Sequence, residues 1–165
     1  MITCYIGIGS NIERRKHIEA ACRALTQLGE RLRLSTIYQC ESLGFDSHPF
    51  YNLVVELQTA LPLTTLAEKL RAIEHGYGRA LDAQKFQDRT LDLDLILYGD
   101  AISDQSPKIP RPDIYYYPFV IQPLYELCPQ LSIPGDEQTV EQIWLKAANL
   151  ACLTPVPLWF SIDNE

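Results

Sequence analysis

Leu91-Asp92-Leu93-Asp94-Leu95-Ile96-Leu97-Tyr98 begins as a strict alternation of apolar and acidic side chains. A period of two marks a β-strand, because successive side chains point to opposite faces of a sheet. Leu91, Leu93, Leu95 and Leu97 share one face and are expected in the core, with Asp92, Asp94, Ile96 and Tyr98 on the other. Upstream, Thr65 and Glu68 are spaced as a capping box after Pro62, and Leu66, Leu70 and Ile73 keep a helical period up to Gly78. Residues 32–40 and 50–59 are both β-like and flank a Gly/Asp/Ser/Pro stretch, which suits two antiparallel strands around a long loop. Residues 2–8 are rich in β-formers and run into Gly9-Ser10-Asn11, a turn and helix-cap composition. Within residues 12–28, Ile18, Ala21, Cys22, Leu25 and Leu28 recur at three and four, and Gly29 is the expected stop.

The order β-α-β-β-α-β predicts an α+β fold, a ferredoxin-like sandwich with an antiparallel sheet and helices on one face. Residues 102–165 hold a proline-rich stretch (Pro107, Pro110, Pro112), an apolar helix-like segment at 118–128 and a second helix candidate at 139–150. They are expected to form a C-terminal helical and strand extension of one domain spanning 1–165.

A chain of 165 residues with 47% hydrophobic side chains can bury one sizeable core. Its 14 Lys+Arg against 21 Asp+Glu leave a formal charge of −7, the wrong sign for gripping nucleic-acid backbones, so no nucleic-acid partner is expected. No apolar run is long enough to span a bilayer, and no basic segment precedes an apolar one at the N-terminus, so no membrane partner is expected and the location is read as cytoplasmic. A monomer is the expected state. Cys4, Cys22, Cys40, Cys128 and Cys152 are odd in number, lack CxxC spacing and read as buried thiols.

Asp92 and Asp94, two residues apart on a strand, project from one face with Cα atoms roughly 6–7 Å apart. Hard cations take oxygen ligands, and two Mg²⁺ ions about 3.5–4 Å apart recur in phosphoryl transfer. Like charges side by side on a strand repel, so the pair calls for a cation. That cation is either Arg89, just upstream and suited to a bidentate phosphate contact, or a metal. A solvated polar face on an edge strand is the plainer alternative.

The run GRALDAQKFQDRTLDLDLILYGD, with YIGIGSN near the start, YQCESLG and FYN in the middle and PFVIQPLYELCPQL downstream, resembles the hydroxymethyldihydropterin pyrophosphokinases of folate synthesis over residues 3–134. The resemblance implies transfer of a diphosphate from ATP to the hydroxymethyl group of a dihydropterin, with ATP as co-substrate and two Mg²⁺ ions on Asp92 and Asp94. Arg79 and Arg89 would join them as catalytic residues, and Glu74, Lys85, Arg89 and Arg111 would bind ATP. Cys40, Leu43, Phe50, Asn52 and Phe119 would form the pterin pocket. Stacking between two aromatic faces and an amide reading a donor–acceptor edge suit a flat heteroaromatic ring.

The chain departs from the family at its cations. Its 80–88 loop carries Asp82 and Asp88 where the family is basic. Arg111 stands for a usual His, and Tyr117 for a usual Arg. A diverged paralogue with another pterin-like acceptor, and a non-catalytic pterin- or nucleotide-binding module, stand beside the active enzyme as readings.

Overall fold

The computed structural model describes residues 1–40, 49–77 and 90–162. Among them β1 (Ile2–Ser10), α1 (Arg14–Leu25), β2 (Glu30–Leu34), β3 (Ile37–Cys40), β4 (Phe50–Thr59), α2 (Leu63–Gly76) and β5 (Asp92–Tyr98) follow in order. Then come α3 (Pro118–Leu127), α4 (Val140–Leu145) and a last strand, β6 (Thr154–Val156). The sheet runs β5-β1-β4-β3-β6, with β2 also on β4, and every pairing is antiparallel. This is the ferredoxin-like order expected from the sequence.

Each face of the sheet has its own core. Ile18, Ala21, Cys22 and Leu25 of α1, and Leu66 and Leu70 of α2, pack with Ile6, Ile8, Leu53, Leu91 and Leu93 on the first face. Val120, Ile121, Leu124 and Leu127 of α3, with Val140 and Ile143 of α4, cover the second face against Tyr5, Val54 and Ile96. The extension therefore closes the face that a two-helix sandwich leaves bare.

Several local expectations are corrected. Residues 32–40 form two strands: Ser35 still donates its N–H to Val54 O, but its hydroxyl, in place of a backbone carbonyl, accepts the Val54 N–H, each at 3.0 Å. β1 continues through Ser10, and α1 starts from Glu13, a left-handed residue at φ 44° without a side-chain cap, so Gly9-Ser10-Asn11 is not the cap. The helix ends at Leu25, before Leu28 and Gly29. α2 begins at Leu63 after Pro62, so Thr65 lies inside the helix and caps nothing. α4 stops at Leu145, far short of 150, although Thr139 and Gln142 do make a reciprocal capping box.

The alternation of β5 also breaks. Ile96 is the extra residue of a bulge, since Ile6 pairs with Leu95 but Tyr5 pairs with Leu97. A bulge shifts the side-chain phase by one residue. Leu97 consequently joins the second core, against expectation, and Tyr98 packs on the first. Cys152 is exposed and Cys128 half-buried, so only Cys4, Cys22 and Cys40 are the buried thiols expected. No helix among the described residues is long and apolar enough to cross a membrane.

Candidate active site

The register of the sheet gathers the expected residues on one face, the one α3 covers. Asp92 pairs with Gly9, Gly9 with Asn52, and Asn52 with Tyr38, so one row crosses four strands. One step along, Asp94 pairs with Gly7 and Gly7 with Val54, while Phe50 pairs with Cys40. The two glycines strip the middle strand of side chains between the carboxylates and the amide. A Cβ on Gly9 would lie 2.7 Å from Asn52 Oδ1, closer than any side chain tolerates. Asn52 Nδ2 reaches Cys40 Sγ at 3.6 Å.

A cleft results, partly open to solvent. Asn52 and Phe119 line one part, and Asp92, Asp94, Arg111 and Asp113 line the other. Phe119 follows Pro118, whose fixed φ suits the first position of α3. Its ring stacks on Tyr117 with centroids 5.1 Å apart.

The acidic part is crowded with charge. Burial, and next the charge of Asp92, push the Asp94 carboxyl up to about 7; Arg111 pulls it down, while Glu74 and Asp113 add to the rise. Arg111 Nη2 lies 3.5 Å from Asp94 Oδ1, and its Nε lies 3.2 Å from Asp113 Oδ2. Burial disfavours the Arg111 cation, but Asp94 and Asp113 outweigh it, and its pKa is raised. The Arg111 N–H donates to Ile96 O at 3.0 Å, which ties this segment to β5 two residues from Asp94.

Glu74, expected among the nucleotide contacts, is instead fully buried. Its Oε2 accepts the Leu93 N–H at 2.6 Å, and its Oε1 accepts from Arg71 at 2.7 Å. It holds the β5 backbone between the two aspartates and does not line the cleft. Ser10, also buried, donates to Thr90 O at 2.5 Å and fastens the entry of the same strand.

The structure thus brings Cys40, Phe50, Asn52, Asp92, Asp94, Arg111 and Phe119 to one region. Arg79, Lys85, Arg89 and Leu43 lie outside the described residues, as does the 80–88 loop with Asp82 and Asp88. Sequence reasoning missed Asp113, Gly7 and Gly9. Glycines two apart in a strand were a usable signal, since they bare one face of it.

Among the described residues no group of three or more His, Cys, Asp or Glu side chains stands ready to hold a metal. A divalent ion still fits the two β5 carboxylates, since such ions at phosphate sites take one or two carboxylates and complete their shell with phosphate and water.

Fold and site together define an α+β sandwich whose sheet carries a pocket with an aromatic and amide part beside an acidic one. The family model for 7,8-dihydro-6-hydroxymethylpterin-pyrophosphokinase matches residues 5–129, and the chain belongs to that family. It is 34% identical over 148 residues to the 2-amino-4-hydroxy-6-hydroxymethyldihydropteridine pyrophosphokinase of Haemophilus influenzae, covering 87% of this chain and 92% of that one. The enzyme of the same name from Pseudomonas aeruginosa is 37% identical over 142 residues, covering 83% of this chain and 87% of its own. Among solved structures, Plasmodium falciparum HPPK-DHPS with pteroate matches with a TM-score of 0.69 at 13% identity, a likeness of fold. That match covers 88% of this chain and 42% of the longer one.

Proposed function

We propose that the chain is an active, magnesium-dependent pyrophosphokinase that moves the terminal diphosphate of ATP to the hydroxymethyl group of 6-hydroxymethyl-7,8-dihydropterin. AMP and the pterin diphosphate ester are the products, in folate biosynthesis. The observation that carries the reading is the single cleft lined at once by Asn52 and Phe119 and by Asp92, Asp94 and Arg111. One ligand with a flat ring and a hydroxymethyl arm can span both parts.

In this reading Phe119, held by its stack on Tyr117, and Phe50 face the two sides of the pterin, and the Asn52 amide reads its edge. Cys40 and Leu43 complete the wall. Asp92 and Asp94 hold Mg²⁺, two ions by the family resemblance, which when bound neutralise phosphate charge. Arg79, Lys85, Arg89 and Arg111 supply the cations along the triphosphate, and Glu74 keeps the aspartate strand in place. The hydroxyl oxygen attacks the β-phosphorus and AMP leaves, with positioning and electrostatics carrying the rate. The enzyme is read as a cytoplasmic, single-domain monomer whose partners are its two small-molecule substrates.

The test is AMP formation from ATP with and without the hydroxymethyl-dihydropterin, in Mg²⁺ and in EDTA. Pterin-dependent, Mg²⁺-dependent AMP is expected. Binding of both ligands without AMP would leave a non-catalytic module, and AMP only with another pterin-like acceptor would leave a diverged paralogue.

A further inference from the structure

Arg111 is the one described cation lining the cleft, and it lies against a residue expected to hold metal. Its guanidinium is wedged between two carboxylates, 3.5 Å from Asp94 Oδ1 and 3.2 Å from Asp113 Oδ2. Yet the pairing is loose. Nε is buried and makes no aligned hydrogen bond despite its distance to Asp113. About a third of the side chain, 34%, stays open to solvent. The backbone is fixed, by the Arg111 N–H to Ile96 O at 3.0 Å, whereas the head group is held only through the two carboxylates beside it. A long side chain on a fixed base, with a permanent charge and a partly open head group, can change partners without moving the fold.

We propose that Arg111 is a tethered counter-ion that occupies Asp94 while the site is empty and competes with the metal there, then passes to the phosphate chain when metal-nucleotide enters. The inference rests on the reading of Asp92 and Asp94 as metal ligands. Two consequences follow from the charges. Without nucleotide, an incoming divalent ion must displace the guanidinium from Asp94, so metal alone binds weakly. With nucleotide, the displaced guanidinium meets phosphate oxygens and forms charge-assisted contacts in exchange for those it gives up. Arg111 would thus make metal and nucleotide bind together in preference to metal first.

Arg111→Met, close in length and without charge, is compared with wild type by titrating Mn²⁺ without nucleotide and following free Mn²⁺ by electron paramagnetic resonance. Arg111→Met should bind Mn²⁺ tighter by on the order of twofold to fivefold, the scale of one relieved, partly exposed ion pair. Arg111→Lys should stay near wild type. Mg-ATP should bind Arg111→Met more weakly than wild type. General damage to the site weakens both ligands, so opposite signs identify the hand-off. Arg111→Gln carries the same expectation and replaces Arg111→Met if that variant does not fold. Mn²⁺ binding that is unchanged or weaker in both charge-removing variants overturns the inference while leaving the metal reading intact. Tighter binding of Mn²⁺ and of Mg-ATP together overturns the transfer to phosphate. Failure of wild type and variants alike to bind Mn²⁺, with or without ATP, overturns the metal reading and this inference with it.

Discussion

Replacing Asp94 by Asn should stop pyrophosphoryl transfer and, in the metal-free protein at pH 8, make the fold more stable. In the unfolded chain Asp94 releases its proton near its ordinary 3.8, and in the folded protein near about 7. Between those values the folded state holds more protons, so metal-free stability falls as pH rises from about 4 to 7 and is lowest above that window. At about 1.4 kcal/mol per pH unit, the whole difference is about 4 kcal/mol. The quarter of the Asp94 side chain open to water and the lost pairing with Arg111 work against it. The expected net gain from Asn is therefore about 1–2 kcal/mol, or roughly 2–6 °C in melting midpoint for a chain of this length. Thermal unfolding of both proteins in EDTA at pH 5 and pH 8, beside AMP formation in Mg²⁺, measures all of this. The midpoint gap should be widest at pH 8 and narrow at pH 5, where wild-type Asp94 is largely protonated. An equal or lower midpoint for Asp94→Asn at pH 8 would show that the Arg111 pairing outweighs the repulsion. Near-normal turnover at ordinary Mg²⁺ would remove Asp94 from the chemistry.

Phe119→Ala should weaken pterin binding by about 1–3 kcal/mol and ATP binding much less; equal losses by calorimetry would assign the ring to the fold instead. Gly9→Ala places a Cβ 2.7 Å from Asn52 Oδ1 and should raise the pterin KM by displacing the amide. Its unfolding free energy in urea should not change by more than about 1 kcal/mol, since Ala otherwise suits a strand better than Gly; an unchanged KM would show that the Asn52 amide is not used. Glu74→Ala strips the Leu93 N–H of its buried acceptor and should cost about 1–3 kcal/mol in urea unfolding. Glu74→Gln, which keeps an acceptor, should recover part of that loss, and an unaltered unfolding curve for Glu74→Ala would contradict the bond.

The order of elements was legible because it rests on periodicity. Leu91, Leu93 and Leu95 at period two, and Ile18, Ala21, Cys22 and Leu25 at three and four, all reached the core the pattern assigns. What could not be read were the phase shifts. The Ile96 bulge depends on pairing with Tyr5 and Ile6, some ninety residues away, and nothing local announces it. Ser35 breaks its strand because its hydroxyl finds the Val54 N–H, again a partner distant in sequence. The helix starts failed for a related reason: Glu13 and Pro62 precede α1 and α2 without side-chain caps, so tertiary packing set the boundaries where capping chemistry pointed elsewhere. In the site, Asp92 and Asp94 could be read from spacing. Phe50, Asn52 and Phe119 needed the family resemblance, since a strand aromatic or a helix-start phenylalanine is ordinary core material. Glu74 shows the limit of both routes, because its position on a helical face does not tell that it is buried against the β5 backbone.

The C-terminal extension looks in the sequence like an appendage to a complete β-α-β-β-α-β unit, but the site cannot be built without it. Asp92 and Asp94 lie on the sheet face that α1 and α2 do not cover, where Gly7 and Gly9 leave the neighbouring strand bare. Without a second layer that face would be a flat, solvated surface, and two adjacent carboxylates there would interact weakly in water. Residues beyond 102 turn it into a cleft: Arg111 is pinned to Ile96 O, Asp113 sets the guanidinium from the far side, and α3 presents Phe119. Burial in this cleft raises the Asp94 pKa, so the low dielectric that strengthens charge interactions there and the ring proposed to face the pterin meet in one place. Packing of the second core and assembly of the site are therefore coupled. Core substitutions in α3, such as a truncation at Leu124, should lower pterin affinity and the Asp94 pKa together, while equally costly substitutions in α1, such as at Leu25, should lower stability alone.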